Sequence, residues 1–241
     1  MLYVIGLGPG DQNLLTAEAR QIIQQTPIIV GYATYIKLVS NLLKDKTVIQ
    51  NGMHGEVERC QRALDLASEG QDVAIISSGD AGIYGMAGLI WELKSKQQLD
   101  VSVKVIPGIT ASIAAAAHLG APLMNDFCHI SLSDLMTPWE VVAQRVEAAA
   151  QADFVICLYN PRSNHRPHKL RQALDIILKY KAPTTVVGVG TDVARLNEVD
   201  QVTTIADLDE TTIGMTSIVI IGNKNTYAYQ GKMITPRGYQ L

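Results

Sequence analysis

Short apolar runs alternate with helical patterns along this chain, and that alternation restricts the fold more than any other feature. Runs at 2–6, 27–31, 47–50, 73–77 and 101–106 have strand length, with helical patterns between them at 14–25, 34–43, 56–69 and 86–96. The alanine-rich stretch from Thr110 to Leu119 closes this half as a helix. Strands separated by helices imply a mostly parallel sheet covered on both faces. The stretch beginning Gly120-Ala121-Pro122 then breaks both periodicities and marks a linker over 120–127. Beyond it the pattern restarts, with strands at 128–132, 153–158, 184–189 and 217–222, helices at 138–150 and 167–180, and an edge strand at 202–205. The expectation is an α/β protein of two α/β domains, residues 1–119 and 128–241, with a ligand cleft between them.

Composition narrows the partners. A net charge of −3 opposes a nucleic-acid partner, whose footprint is normally basic. Cys60, Cys128 and Cys157 lie far apart and form no C-x-x-C. Neither a disulfide framework nor a zinc site is expected, and a reducing cytoplasm fits. No apolar run reaches the ~18 residues of a membrane span, and the first run reads as a strand, not a signal peptide.

Ligands of open α/β sheets sit at the carboxyl ends of strands, so the loops there carry the functional information. The first strand runs into Gly6-Leu7-Gly8-Pro9-Gly10-Asp11. A dinucleotide fingerprint needs G-x-G-x-x-G, and a P-loop needs Lys-Ser/Thr after its last glycine. Here a proline without an N–H sits inside the loop and no lysine follows, so phosphate cradling is disfavoured. The absence of an acidic residue at the end of a second strand also counts against a dehydrogenase. Later strands end in Ser78-Gly79-Asp80-Ala81-Gly82-Ile83-Tyr84-Gly85, Pro107-Gly108-Ile109-Thr110-Ala111, Tyr159-Asn160-Pro161-Arg162 and Gly190-Thr191. Small residues let a ligand approach the backbone, and Asp80 supplies a lone carboxylate. Each loop alone is ordinary turn chemistry. Together, at successive strand ends, they read as one site.

The series G-x-G-P-G-D-x-x-L-L-T, G-D and P-G-I-T resembles the tetrapyrrole methylase family over essentially the whole chain. Within it, residues 30–35, 56–60, 77–88, 126–139, 158–163 and 234–239 resemble the C17-methyltransferases of cobalamin biosynthesis. The enzymes acting on cobalt-precorrin-3 (cobalt-factor III) in the anaerobic route come first, and those acting on precorrin-3B in the aerobic route next. The resemblance implies a class III S-adenosylmethionine methyltransferase, with S-adenosylhomocysteine as product. It implies cofactor contacts at Pro9, Ser78, Gly79, Asp80, Ile83, Thr110, Ala111, Asn160, Gly190, Met215 and Thr216, with Asp80 near the charged methionine end. Ala81 and Ser217 stand where relatives carry proline.

Methyl transfer from a sulfonium is an in-line displacement, so alignment comes first. In this family C17 methylation accompanies contraction of the macrocycle, which calls for acid–base help, histidine being the natural candidate. The implied substrate is a tetrapyrrole bearing several carboxylates, cobalt-bearing or metal-free. An acidic chain must then gather cations locally, and arginine suits carboxylates best. His54, Tyr159, Arg162 and His165 are the expected substrate contacts, while Ser131 and Asp134 are the catalytic candidates, Asp134 doubling as a possible helix cap. Tyr32 and Tyr35 read either as stacking on the macrocycle or as packing. No enzyme metal is expected: His54 and Glu58 lack a third ligand, and Cys128 and His129 point to opposite strand faces. Cobalt would arrive with the substrate. The resemblance also implies a homodimer. Relatives with the same glycine loop that methylate RNA or protein are the competing enzyme reading, and a non-catalytic binding protein is the other.

Overall fold

A computed structural model describes residues 1–52 and 55–240, which divide after Ala111 into two units. The division falls ahead of the 120–127 stretch. Among the described residues no helix is long and apolar enough to cross a membrane.

In the first unit, β1 (Leu2–Gly6), β2 (Ile28–Tyr32), β3 (Thr47–Asn51), β4 (Val73–Ser77) and β5 (Val103–Ile106) form one parallel sheet in the order β3-β2-β4-β1-β5. The helices are α1 (Ala17–Gln25), α2 (Ala33–Leu38), α3 (Glu56–Ser68) and α4 (Ala87–Gln97). β4 shows why its sequence is apolar without interruption: Val73 and Ile75 pack with α3 and α4, while Ala74 and Ile76 face α1 and α2.

Two expected helices are broken. The 14–25 pattern resolves into a 3-10 turn at Gln12–Leu14 and then α1, because Thr16 restarts the helix by accepting from the Ala19 N–H at 3.2 Å. The 34–43 pattern resolves into α2 and a 3-10 turn at Ser40–Leu42, with Val39 off helical geometry between them. Removing the cap with Thr16→Ala is expected to cost about 1 kcal/mol, read as a lowered denaturation midpoint.

The connection from β1 to β2 leaves past β4, and that from β4 to β5 leaves past β1. Neighbouring strands whose connections depart in opposite directions open a crevice at their carboxyl ends. The loops after β1 and β4 meet there.

The second unit is entered through α5 (Ala111–Leu119) and contains β6 (Gly120–Ala121), β7 (Phe127–Ser131), α6 (Trp139–Gln151), β8 (Val155–Tyr159), α7 (Lys169–Ile177), β9 (Val186–Thr191), β10 (Val199–Thr204), β11 (Ser217–Ile221), β12 (Tyr227–Tyr229) and β13 (Lys232–Ile234). Its main sheet, β10-β9-β11-β8-β7, is mixed: β7 and β8 are parallel, while β11 runs antiparallel to β8 and β9, and β10 antiparallel to β9. One face buries α6 and α7. The other takes α5, and glycine makes the room. A Cβ on Gly188 would meet Leu119 at 2.8 Å, and one on Gly190 would meet Ala115 at 3.0 Å. A small third sheet joins β12, β13 and β6, its hairpin turning through Gln230 and Gly231, both at positive φ.

Candidate active site

Three loops of the first unit are bound to one another at the carboxyl edge of its sheet. The Gly8 N–H donates to the Gly79 carbonyl at 3.0 Å and the Gly79 N–H donates back to Gly8 at 2.7 Å, joining the loops after β1 and β4. Both glycines sit at positive φ, +76° and +68°. Asp80 ties in the third loop. Its Oδ1 accepts from the N–H groups of Gly82 (2.8 Å) and Ile83 (3.1 Å), and its Oδ2 accepts from the Gly108 N–H after β5 (2.9 Å).

This geometry gives Gly6 and Gly108 a role apart from any ligand. A Cβ on Gly6 would stand 2.7 Å from the Gly79 carbonyl oxygen and 2.8 Å from the Gly108 nitrogen. Gly6 and Gly108 are small so that the loops can touch each other. Asp80 is likewise no idle carboxylate, and the Ile83 amide is already spent on it. Pro9 is buried, as is Thr110, while Ser78 and Gly79 keep partial exposure. Residues 7–16, 78–86 and 107–110 contain Asp11 and Asp80 but no lysine or arginine. A set of backbone groups with two carboxylates suits a cationic ligand and offers a phosphate no cationic side chain to pair with.

In the second unit, Asn160 leaves β8 at φ +49° and its Nδ2 donates to the Ser131 Oγ at the end of β7 (3.0 Å), which also accepts from the Ser133 N–H (3.3 Å). Arg162 donates through Nη1 to the Ile213 carbonyl (3.4 Å) and has no ion-pair partner among the described residues. Arg166 donates to the Leu132 carbonyl (3.3 Å) and lies 3.7 Å from the Met215 Sδ. The structure therefore gathers Ser131, Asn160, Arg162 and Met215 from three segments. Beside them, the Tyr159 hydroxyl donates to the Ser112 Oγ at the start of α5 (2.9 Å), and that Oγ lies 2.8 Å from the His129 Nε2 on β7.

The family model for tetrapyrrole (corrin/porphyrin) methylases matches residues 1–209. The chain belongs to the tetrapyrrole methylases. It is 58% identical over 241 residues, the full length of both chains, to the "Probable cobalt-factor III C(17)-methyltransferase" of Salmonella typhimurium. It is 47% identical to the "Cobalt-factor III methyltransferase" of Priestia megaterium, whose length it spans by 45%. The crystal structure of the methyltransferase CobJ superposes with a TM-score of 0.93 at 33% identity, covering 98% of this chain and 99% of that one.

Several residues expected in the site of this methylase are engaged within the protein or lie exposed on its surface. Asp134 lies 3.0 Å from the Lys169 Nζ, which itself sits 4.2 Å over the Trp139 ring. The hydrogen bond from Lys169 holds the Asp134 carboxyl below the usual carboxylate range, making it a poor base. Gly190 lies inside β9, paired with Asp200 and Ile218, not in a turn beyond the strand. Thr216 and His165 are exposed, and the Thr216 carbonyl accepts from the Asp192 N–H at 3.2 Å. Tyr32 and Tyr35 pack edge to face on each other at 5.1 Å. His54 lies outside the described residues.

Two arrangements escaped the sequence reading. His118 Nδ1 lies against the carboxylates of Glu198 and Asp200, closing a three-residue cluster. Desolvation first, and Glu198 second, raise the Asp200 pKa against the opposing pull of His118. The other is the Ser112–His129–Tyr159 cluster. Strand alternation places His129 on the same face as Ser131, a signal that was present, but Ser112 reaches it only through the packing of α5. Burial pushes the Cys60 thiol up to about 12 and the Cys128 thiol up to about 11, and raises that of Cys157 as well. Thiols so protonated are poor nucleophiles.

Proposed function

We propose that this methylase transfers a methyl group from S-adenosylmethionine to C17 of cobalt-factor III, with contraction of the macrocycle, in the anaerobic route of cobalamin biosynthesis. The full-length 58% identity to the Salmonella typhimurium protein carries the reading. The linked loops of the first unit support the cofactor class, because they present backbone polar groups and no cation. Bound there, the sulfonium would supply an electrophilic methyl group.

The residues proposed to hold the cofactor are Pro9, Ser78, Gly79, Ile83, Thr110 and Ala111 of the first unit, with Asn160, Met215 and Thr216 of the second. Asp80 acts by fixing the loops, as its three amide bonds support. Holding loops rigid is the form of help that an in-line displacement needs, since misplacement of the reacting atoms costs rate directly. Arg162 is proposed to meet a substrate carboxylate, supported by its lack of an acidic partner among the described residues, and guanidinium matches that group bidentately. Tyr159, His165 and His54 remain substrate contacts in this reading. Ser131 orients Asn160. A cytoplasmic homodimer completes the proposal, and the three free cysteines agree with a reducing compartment.

The test is incubation of purified protein with labelled S-adenosylmethionine and, in parallel, cobalt-factor III, metal-free precorrin-3B and bulk RNA. Methyl mass is expected in the cobalt-bearing tetrapyrrole. Label in the metal-free substrate alone would move the assignment to the aerobic route, and label in RNA alone would refute it.

A further inference from the structure

Ser112 has one hydroxyl proton and sits between two groups that can exchange hydrogen bonds with it, Tyr159 and His129. The Tyr159 hydroxyl donates to the Ser112 Oγ at 2.9 Å, while the Ser112 N–H donates to the Tyr159 oxygen at 3.1 Å. The hydrogen of Ser112 is then free to donate to the His129 Nε2, 2.8 Å away, in the tautomer whose proton sits on Nδ1. The result is a directed chain, tyrosine to serine to imidazole, that runs only while the Nε2 of His129 carries no proton. Ser112 is fully buried and His129 partly so. The groups facing His129 are Phe127 on its own strand, Tyr159 and its register partner Cys157 on β8, and Ser112 on α5. None of these is a charged side chain. Burial therefore lowers the His129 pKa and favours the neutral imidazole at pH 7, whose Nε2 accepts when the ring proton sits on Nδ1.

We propose that Ser112 and His129 form a proton relay behind Tyr159, so that this tyrosine serves as the acid–base group for contraction of the macrocycle. The proposal rests on the C17-methyltransferase reading above. As the substrate gives up a proton to the Tyr159 oxygen, the Tyr159 O–H bond breaks and its proton passes to the Ser112 Oγ. The Ser112 proton passes in turn to the His129 Nε2. The balance is one proton moved from substrate to imidazole, with no tyrosinate left behind, and reversal of the chain returns it. Tyr159 is the group that touches substrate, while Ser112 and His129 are positioning residues that act through it. Tyr159 ends the strand that leads directly into Asn160 and Arg162, which places the relay beside the proposed substrate contacts.

His129→Gln tests the relay without removing the partner of Ser112, since the glutamine carbonyl can still accept but cannot take up a proton. The expected result is a kcat for contracted product lowered by roughly tenfold, below the usual general acid–base contribution because the imidazole acts at one remove. The KM values for cofactor and tetrapyrrole should stay within about twofold, as uniform binding is untouched. The wild-type kcat should fall on acidification as His129 is protonated, at a pH below the ordinary imidazole value because burial lowers its pKa, and that limb should be absent in H129Q. Unchanged kcat with the acid limb intact would overturn the relay. An independent measurement needs no substrate: nitrogen NMR of the wild-type imidazole at pH 7 should show a proton on Nδ1 and none on Nε2. A protonated Nε2 would overturn the relay even in an active enzyme. Failure of the wild type to methylate cobalt-factor III would instead sink the functional reading, with the tautomer still deciding whether the chain is directed as described.

Discussion

Gly108→Ala is expected to destabilise the protein by about 3 kcal/mol, the upper end of what overpacking usually costs, and to lower its melting temperature by roughly 6 to 12 °C. The reason is what the new methyl would meet. It would stand 2.7 Å from both the carbonyl carbon and the oxygen of Gly6 and press on the Gly79 carbonyl oxygen. These are backbone atoms of two other loops, so no rotamer change relieves the clash. Gly6→Ala should behave alike, with backbone contacts of 2.7, 2.8 and 2.9 Å. Gly88→Ala is the control: it lies in α4 with no atom within 4 Å of the added methyl. There the substitution should be neutral or stabilising by up to about 1 kcal/mol, since alanine is the better helix former. Equal melting temperatures for the Gly108 and Gly88 variants would show that the three loops do not need their close approach.

Asp80→Asn should lower both stability and cofactor affinity, by about 2–3 kcal/mol and by tenfold or more, through the loss of charge-assisted bonds to backbone amides. The wild-type carboxylate accepts three N–H groups with two oxygens. An asparagine has one oxygen and an NH2, so in either orientation at least one backbone N–H faces another donor. The pairing of the two losses is the informative part. If Asp80 served only as a counter-charge to the methionine end of the cofactor, binding by calorimetry would weaken while the melting temperature held. If it pins the loops, both fall together. An unchanged pair of measurements would refute either role.

The order of strands and helices in the first unit was readable because both faces of β1, β2 and β4 are buried, which forces uninterrupted apolar runs at strand length. β10 was only partly visible, since Val199 to Thr204 form an edge strand with polar side chains and a backbone ladder to β9. β6 left no signal. It is two residues long, Gly120 and Ala121, and exists because Met233 and Ile234 pair with it from the far end of the chain.

The site divides in the same way. That loops of unusual composition follow the strands was legible in Gly6–Asp11, Ser78–Gly85, Pro107–Ala111 and Tyr159–Arg162, and the structure places each of them after β1, β4, β5 or β8. What each residue does there was not. Gly190 looked like a turn glycine and proved to be the gap in β9 that admits Ala115, a contact between residues far apart in sequence. Asp134 looked like a catalytic candidate and is paired with Lys169.

By itself, then, the amino-acid sequence determined the α/β class, the tetrapyrrole methylase resemblance and the absence of any cation in the three loops, because these depend on local periodicity and residue type. Only the tertiary structure decided that Asp80 is a staple, that Gly6 and Gly108 are small for each other's sake, and that His129 is joined to Tyr159 through Ser112. Those roles depend on distances between segments that the chain brings together only when its sheets form and α5 packs, and residue spacing along the sequence carries no record of them.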